Sequence, residues 1–214
     1  LNRGARFEGQ ALPSAAQFAP GTAVCVSDFD GDGNEDVFMG QNISALNQEI
    51  SPLNAGRGLV LLGSGKGTFD ALDGAESGIR VYGDQRGAAI GDFNQDHRPD
   101  LVISQNNEAT QLYQNLSGRP GFQVRLKGGA ENPAAVGAAL RLRYGAESGP
   151  LREIQAGSGY WSQNTLVPLL PRREDPQSIW VRWPDGHETT TTIPAGSIGI
   201  TLTQEGSIVE NPMP

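Results

Sequence analysis

Asp28-Phe29-Asp30-Gly31-Asp32-Gly33-Asn34-Glu35-Asp36 is the stretch that decides the fold. Aspartates stand at its first, third, fifth and ninth positions. Apolar residues flank it, Val24-Cys25-Val26 before and Val37-Phe38-Met39 after. The frame returns 64 positions on as Asp92-Phe93-Asn94-Gln95-Asp96-His97-Arg98-Pro99-Asp100, between Ala88-Ala89-Ile90 and Leu101-Val102-Ile103. Ca²⁺ takes about 6–8 oxygen ligands at roughly 2.3–2.6 Å. A tight loop with side-chain oxygens at alternate positions can aim several at one ion. Gly33 lets the chain turn sharply, because glycine tolerates positive φ. The first loop therefore offers Asp28, Asp30, Asp32, the Asn34 carbonyl and Asp36 as ligands.

The second loop offers Asp92, Asn94, Asp96, the Arg98 carbonyl and Asp100. Asn94 removes one charge and keeps an oxygen. His97 stands where Gly33 stood, and histidine is among the residues enriched at positive φ. Pro99 pushes Arg98 toward an extended conformation. Two Ca²⁺ sites are expected, the second weaker. An EF-hand is excluded, since its twelfth position calls for glutamate and here falls on Met39 and Ile103. The β-branched and aromatic flanks read as strands. One such stretch alone would read equally as an acidic turn. Two in the same strand context favour a metal site.

These residues resemble the FG-GAP/VCBS repeat, the calcium-loop repeat of integrin α-subunit β-propellers and many bacterial surface proteins. Gly65-Lys66-Gly67-Thr68-Phe69 is similar to its "GDGTF" element and Leu112-Tyr113-Gln114-Asn115 to its "LYxN" strand. The likeness runs from about Phe7 to Asn115. It implies about two propeller blades of four strands each. Propellers close with about 4–8 blades, so the rest of a longer propeller chain is expected upstream. The opening at Leu1 reads as a processed product or a piece of a longer protein.

Gly 29 and Pro 14 in 214 residues favour turn-rich β architecture over helix. The net charge of −8 argues against nucleic acid. Seven of the 24 acidic residues are predicted ligands, so much of that charge is local. No stretch approaches the roughly 20 apolar residues of a membrane helix, and no membrane insertion is expected. Cys25, the single cysteine, lies in an apolar run and reads as a small buried residue.

Along the chain, residues 1–20 read as the outer strand of an incomplete blade or as a flexible lead-in. Residues 41–57 read as a long surface loop. Leu59–Leu62, Thr68-Phe69, Ile79–Tyr82 and Thr110–Gln114 read as further strands. Asn42-Ile43-Ser44 and Asn115-Leu116-Ser117 match the glycosylation sequon. Ser117–Gly121 marks a boundary between a repeat region, 1–118, and a second domain, 119–214. In the latter, Leu140, Leu142 and Tyr144 alternate with Arg141 and Arg143, and Leu151–Gln155 pairs back across Gly145–Pro150. Ile179, Val181 and Trp183 form another strand, from which Glu188–Ile193 returns.

Val136-Gly137-Ala138, Gly157-Ser158-Gly159-Tyr160-Trp161-Ser162-Gln163-Asn164 and Val181-Arg182-Trp183-Pro184-Asp185-Gly186 resemble the ASPIC/UnbV domain over about 122–193. That domain commonly follows FG-GAP/VCBS repeats. Where it usually has an "FGLG"-like strand, this chain reads Leu169-Leu170-Pro171-Arg172-Arg173. The expected fold class is all-β: a partial β-propeller plus a small antiparallel sandwich or barrel.

Gly157–Asn164 lacks a P-loop lysine and reads as a turn setting Tyr160 and Trp161 against the sheet. Trp180 should face away from Trp183, either as an exposed platform or under a loop. His97 and His187 have no nucleophile beside them in sequence, so catalysis is not expected. The function read from the sequence is a non-catalytic, calcium-binding interaction or adhesion module, extracellular, periplasmic or at the cell surface. Its partner would be a protein or a glycan. The alternatives are a domain of, or accessory to, a carbohydrate-active enzyme, and a structural cap of a longer propeller.

Overall fold

Ala23, Cys25 and Ser27 are buried while Val24 and Val26 face out, and this period of two sets the first strand, β1 (Gly21–Ser27). It pairs antiparallel with β2 (Asp36–Gln41), followed by β3 (Leu59–Gly63) and β4 (Phe69–Leu72) in a four-stranded sheet. The loop 28–35 joins β1 to β2. A second sheet repeats the plan with β5 (Asp84–Gly91), β6 (Asp100–Asn106) and β7 (Gln111–Tyr113), and the loop 92–99 joins its first two strands. The computed structural model describes residues 4, 6–44 and 51–209.

β1 packs on β5, blade against blade. Between the sheets lies a core that includes Cys25, Phe38, Val81, Leu101 and Ile103. The first sheet is a complete four-stranded blade and the second stops at three strands. The outer face of the first sheet, Met39, Leu59 and Leu61, is covered in part by Ala15 and Ala16. These belong to a 3₁₀ turn, Ser14–Gln17, where the sequence led to a strand or a loose lead-in.

The remaining chain forms β8 (Phe122–Lys127), β9 (Ala139–Tyr144), β10 (Glu147–Ser148), β11 (Arg152–Glu153), β12 (Leu169–Leu170), β13 (Ser178–Arg182), β14 (Glu188–Thr192), β15 (Gly199–Thr203) and β16 (Ile208–Val209). One sheet runs β10-β9-β13-β14 with β11 also on β9, and the other runs β12-β8-β15-β16. They share a second core containing Phe122, Leu140, Ile179, Trp183 and Leu202. This is a two-sheet sandwich, antiparallel apart from the parallel pair β15–β8. The described residues hold no α-helix, and none of their helices is long and apolar enough to cross a membrane.

Several sequence expectations change in the fold. Ile79–Tyr82 is not a strand; it buries Ile79 and Val81 but makes only an isolated backbone bond, from the Val81 amide to the Arg57 carbonyl (2.8 Å). The stretch 41–57, of which 45–50 lies outside the described residues, is not purely surface. Asn42 is fully buried at φ 86°. Its amide donates to the carbonyls of Gly56, Tyr82 and Gly83, and its oxygen accepts from the Gly56 amide (2.9 Å). Asn42 is thus a tie beneath the blade and closed to glycosylation. In the other sequon, Asn115 donates to the Phe29 carbonyl at 2.7 Å and accepts from the amides of Ser117 and Gly118.

Tyr160 and Trp161 are not set against the sheet. They are 59% and 92% exposed, with Trp161 at φ 47°. A Ser162–Gly159 bridge closes the turn, and it is the backbone carbonyls of Tyr160 and Trp161, not their rings, that approach β5 at Gly87. Trp180 lies on the outer face with the Arg141 guanidinium 4.9 Å above its ring and its Nε1 donating to Glu188.

Candidate metal centre

The two loops are built by the same hydrogen bonds. The Phe29 amide donates to Asp36 and the Phe93 amide to Asp100, both at 2.8 Å. The Gly33 amide donates to Asp28 (2.9 Å) and the His97 amide to Asp92 (3.1 Å). Asp32 N binds Asp30 Oδ1 as Asp96 N binds Asn94 Oδ1. Asn34 N binds Asp32 Oδ1 as Arg98 N binds Asp96 Oδ1. The turn positions Gly33 and His97 both have positive φ, 92° and 63°.

In the first loop, carboxylate oxygens of Asp28, Asp30 and Asp36 lie within 4.8 Å of one another, the one such cluster among the described residues. Asp28 and Asp36 are buried and Asp30 is exposed. Asp36 is held rigid by the Phe29 amide and by the Gly63 amide of β3 (2.8 Å). Asp28 spends Oδ2 on the Gly33 amide, while its buried Oδ1 has no hydrogen-bond partner. A buried carboxylate oxygen without a donor is costly, and a hard divalent cation is the partner its chemistry fits. Burial pushes the Asp28 carboxyl up to about 7; Asp36, Asp30 and Asp32 add to the rise and the Gly33 amide opposes it. Burial likewise raises Asp36 to about 6, against the Gly63 and Phe29 amides. Asp32 stands apart from the three, with both its oxygens taking hydrogen bonds from Asn34.

The second loop differs in charge. Arg98 Nη1 lies 3.0 Å from Asp96 Oδ2, and Arg98 Nε donates to the Gly118 carbonyl. Although burial works the other way, the Asn94 amide and Arg98 hold Asp96 below the usual carboxylate range. Asp92 faces Gln123 at 3.5 Å, and Asp100 accepts from the amides of Phe93 and Asn115. Asp92, Asn94, Asp96 and Asp100 thus sit in the same frame as their counterparts, with an internal cation beside Asp96.

The sequence reading missed the groups that reach the first loop from outside. Arg173, from the segment after β12, donates Nε to the Gly33 carbonyl (3.2 Å) and Nη2 to Asn34 Oδ1 (3.1 Å). Arg119 N donates to the Asp30 carbonyl (3.1 Å), and Arg152 of β11 pairs with Glu35. The one signal was the departure of Leu169–Arg173 from the usual "FGLG"-like strand sequence, although Leu169 and Leu170 still form β12. The second loop is also covered, by Gly121 N on the His97 carbonyl (2.7 Å).

A β-blade pair with acidic loops, ahead of a sandwich, defines the class of chain. Residues 28–103 match the FG-GAP-like repeat model and residues 128–209 the ASPIC and UnbV model. The chain therefore carries an FG-GAP-like repeat followed by an ASPIC/UnbV domain. It is similar to cartilage acidic protein 1 of Mus musculus, 26% identical over 193 residues, which is 88% of this chain and 29% of that protein. It is also similar to integrin alpha-4 of Xenopus laevis, 30% identical over 153 residues, 65% of this chain and 13% of that one. The chain thus spans less than a third of the length of either relative.

Proposed function

We propose that this chain is a non-catalytic, extracytoplasmic interaction module, of the adhesion type, in which Ca²⁺ rigidifies propeller loops. The observation that carries the reading is the partnerless, buried Oδ1 of Asp28 inside the Asp28, Asp30 and Asp36 cluster. Asp28, Asp30 and Asp36 would hold the ion, with Asp32 and the Asn34 carbonyl completing its shell. The second loop would take Ca²⁺ more weakly through Asp92, Asn94, Asp96, Asp100 and the Arg98 carbonyl, because Arg98 already offsets Asp96. The ion's role is structural: it neutralises carboxylates that repel and binds only the folded loop. Stabilisation then follows mass action, about 2.7 kcal/mol at a hundredfold excess over Kd. Kinship to integrin alpha-4 supports an adhesion-type role and a location outside the cytoplasm. The partner is a protein or a glycan, presented to loops of a propeller that continues in a longer chain.

Calorimetric titration of chelator-stripped protein, with Mg²⁺ as control, tests the reading. Ca²⁺-selective heat that Asp30→Ala abolishes at the tighter site, together with a calcium-dependent rise in melting temperature, is the expected result. No heat and no change in melting would reduce both loops to acidic turns.

A further inference from the structure

We propose that Arg173 of the ASPIC/UnbV domain is a positioning residue of the first metal loop, so that metal binding and docking of that domain are coupled. The inference rests on the metal reading above. Three observations carry it. First, Arg173 grips one peptide unit and the side chain beside it: Nε on the Gly33 carbonyl and Nη2 on Asn34 Oδ1. The far sides of the same groups, Asn34 N and Nδ2, donate to Asp32 Oδ1 (2.7 Å) and Oδ2 (2.8 Å). Arg173 therefore orients the Asp32 carboxylate through Asn34, without touching the cluster.

Second, the loop's two inner glycines are fitted to this contact. A Cβ at Gly33 would fall on Arg173 Cγ, and one at Gly31 would stand 2.5 Å from the Arg119 backbone. The sequence requirement for glycine here is set by the neighbouring unit as well as by φ. Third, the grip is multiple. Arg119 N holds the Asp30 carbonyl and Arg152 pairs with Glu35, so Asp30, Gly33, Asn34 and Glu35 are each held from outside the blade.

A loop fixed from outside loses less freedom when it closes on an ion. The metal and the docked domain then favour the same loop conformation, and by linkage each strengthens the other. The positive charge of Arg173 opposes a cation, but its hydrogen bonds go to the Gly33 carbonyl and Asn34 Oδ1 rather than to a carboxylate, so it neutralises no ligand charge. Outer-shell partners of metal ligands typically carry about 10–100-fold in affinity.

The test uses the full chain. Calcium affinity is measured for wild type, Arg173→Ala and Arg173→Lys, with melting in chelator as the folding control. Amide exchange is followed over 29–36 and 169–175. The expected result is a roughly tenfold weaker first site in Arg173→Ala. Arg173→Lys, which keeps the charge but not the two-pronged geometry, also binds more weakly than wild type. In wild type, Ca²⁺ slows exchange in 169–175, and in Arg173→Ala it does not. Affinities equal to or tighter than wild type in both variants, or exchange in 169–175 indifferent to Ca²⁺, would overturn the coupling. A wild type that binds no Ca²⁺ would instead sink the metal reading itself.

Discussion

Asp28 shows how much one buried atom can set. Its carboxyl is raised to about 7 and that of Asp36 to about 6, chiefly by burial, against about 3.9 for an unfolded aspartate. Protonation is thus easier in the folded chain. This contribution to stability is whole below about pH 4 and is lost as pH rises through about 6 to 7. In chelator the melting temperature should fall across that window, and the fall should shrink in Asp28→Asn. Calcium requires the ionised forms, so the gap between calcium and chelator curves should widen with pH. A chelator curve that rises over pH 4–7 would contradict the burial argument. Asn42 makes the second residue-scale case. Its truncation strands the buried Gly56 amide and a set of carbonyls, and Asn42→Ala should cost about 2–4 kcal/mol in urea unfolding. The same burial leaves Asn42 unmodified in a glycosylating host, which peptide mass mapping would check.

Among elements, the strand–loop–strand unit was legible because it is local. Alternating aspartates, a positive-φ turn residue and apolar flanks lie within one short window, and the structure repeats the same bonds in both copies. The copies differ at five of their nine positions, and the change that brings a cation beside Asp96 is Arg98, where the first loop has Asn34. Arg98→Ala removes the cation beside Asp96 while keeping the main-chain carbonyl. In an Asp30→Ala background, which isolates the second loop, it should tighten Ca²⁺ binding several-fold by calorimetry. Unchanged or weaker binding would show that the guanidinium does not compete. Elements whose partners are distant read less well. Ile79–Tyr82 has strand-like composition but meets one backbone acceptor rather than a ladder. The pairing of β15 with β8 is parallel and spans the whole second domain, beyond the reach of any local pattern.

At the scale of the whole molecule, the sandwich seats itself on the blades through hydrogen-bonded loops. Ile90 N donates to Asn164 Oδ1 (2.9 Å) and Thr165 N to the Ile90 carbonyl (2.8 Å), so the glycine-rich block lies along β5. This placement exposes Trp161 at a backbone angle that suits glycine. Trp161→Gly should leave stability unchanged or raise it by up to about 1 kcal/mol. It should also shift tryptophan emission to the blue, since Trp180 and Trp183 are the more buried indoles. A loss of several kcal/mol would place the ring in a packing role.

By itself the sequence determined the all-β class, the order of the repeat and the ASPIC/UnbV domain, the two aspartate loops and the burial of Cys25, because each depends on neighbours close along the chain. Only the tertiary structure decided which three aspartates converge, that Asp32 turns to Asn34, that Asn42 is a buried tie, and that Arg119, Arg152 and Arg173 close over the first loop. Those outcomes depend on contacts between residues as many as 140 positions apart. No local spacing encodes them, and the packing of one unit on the other fixes them.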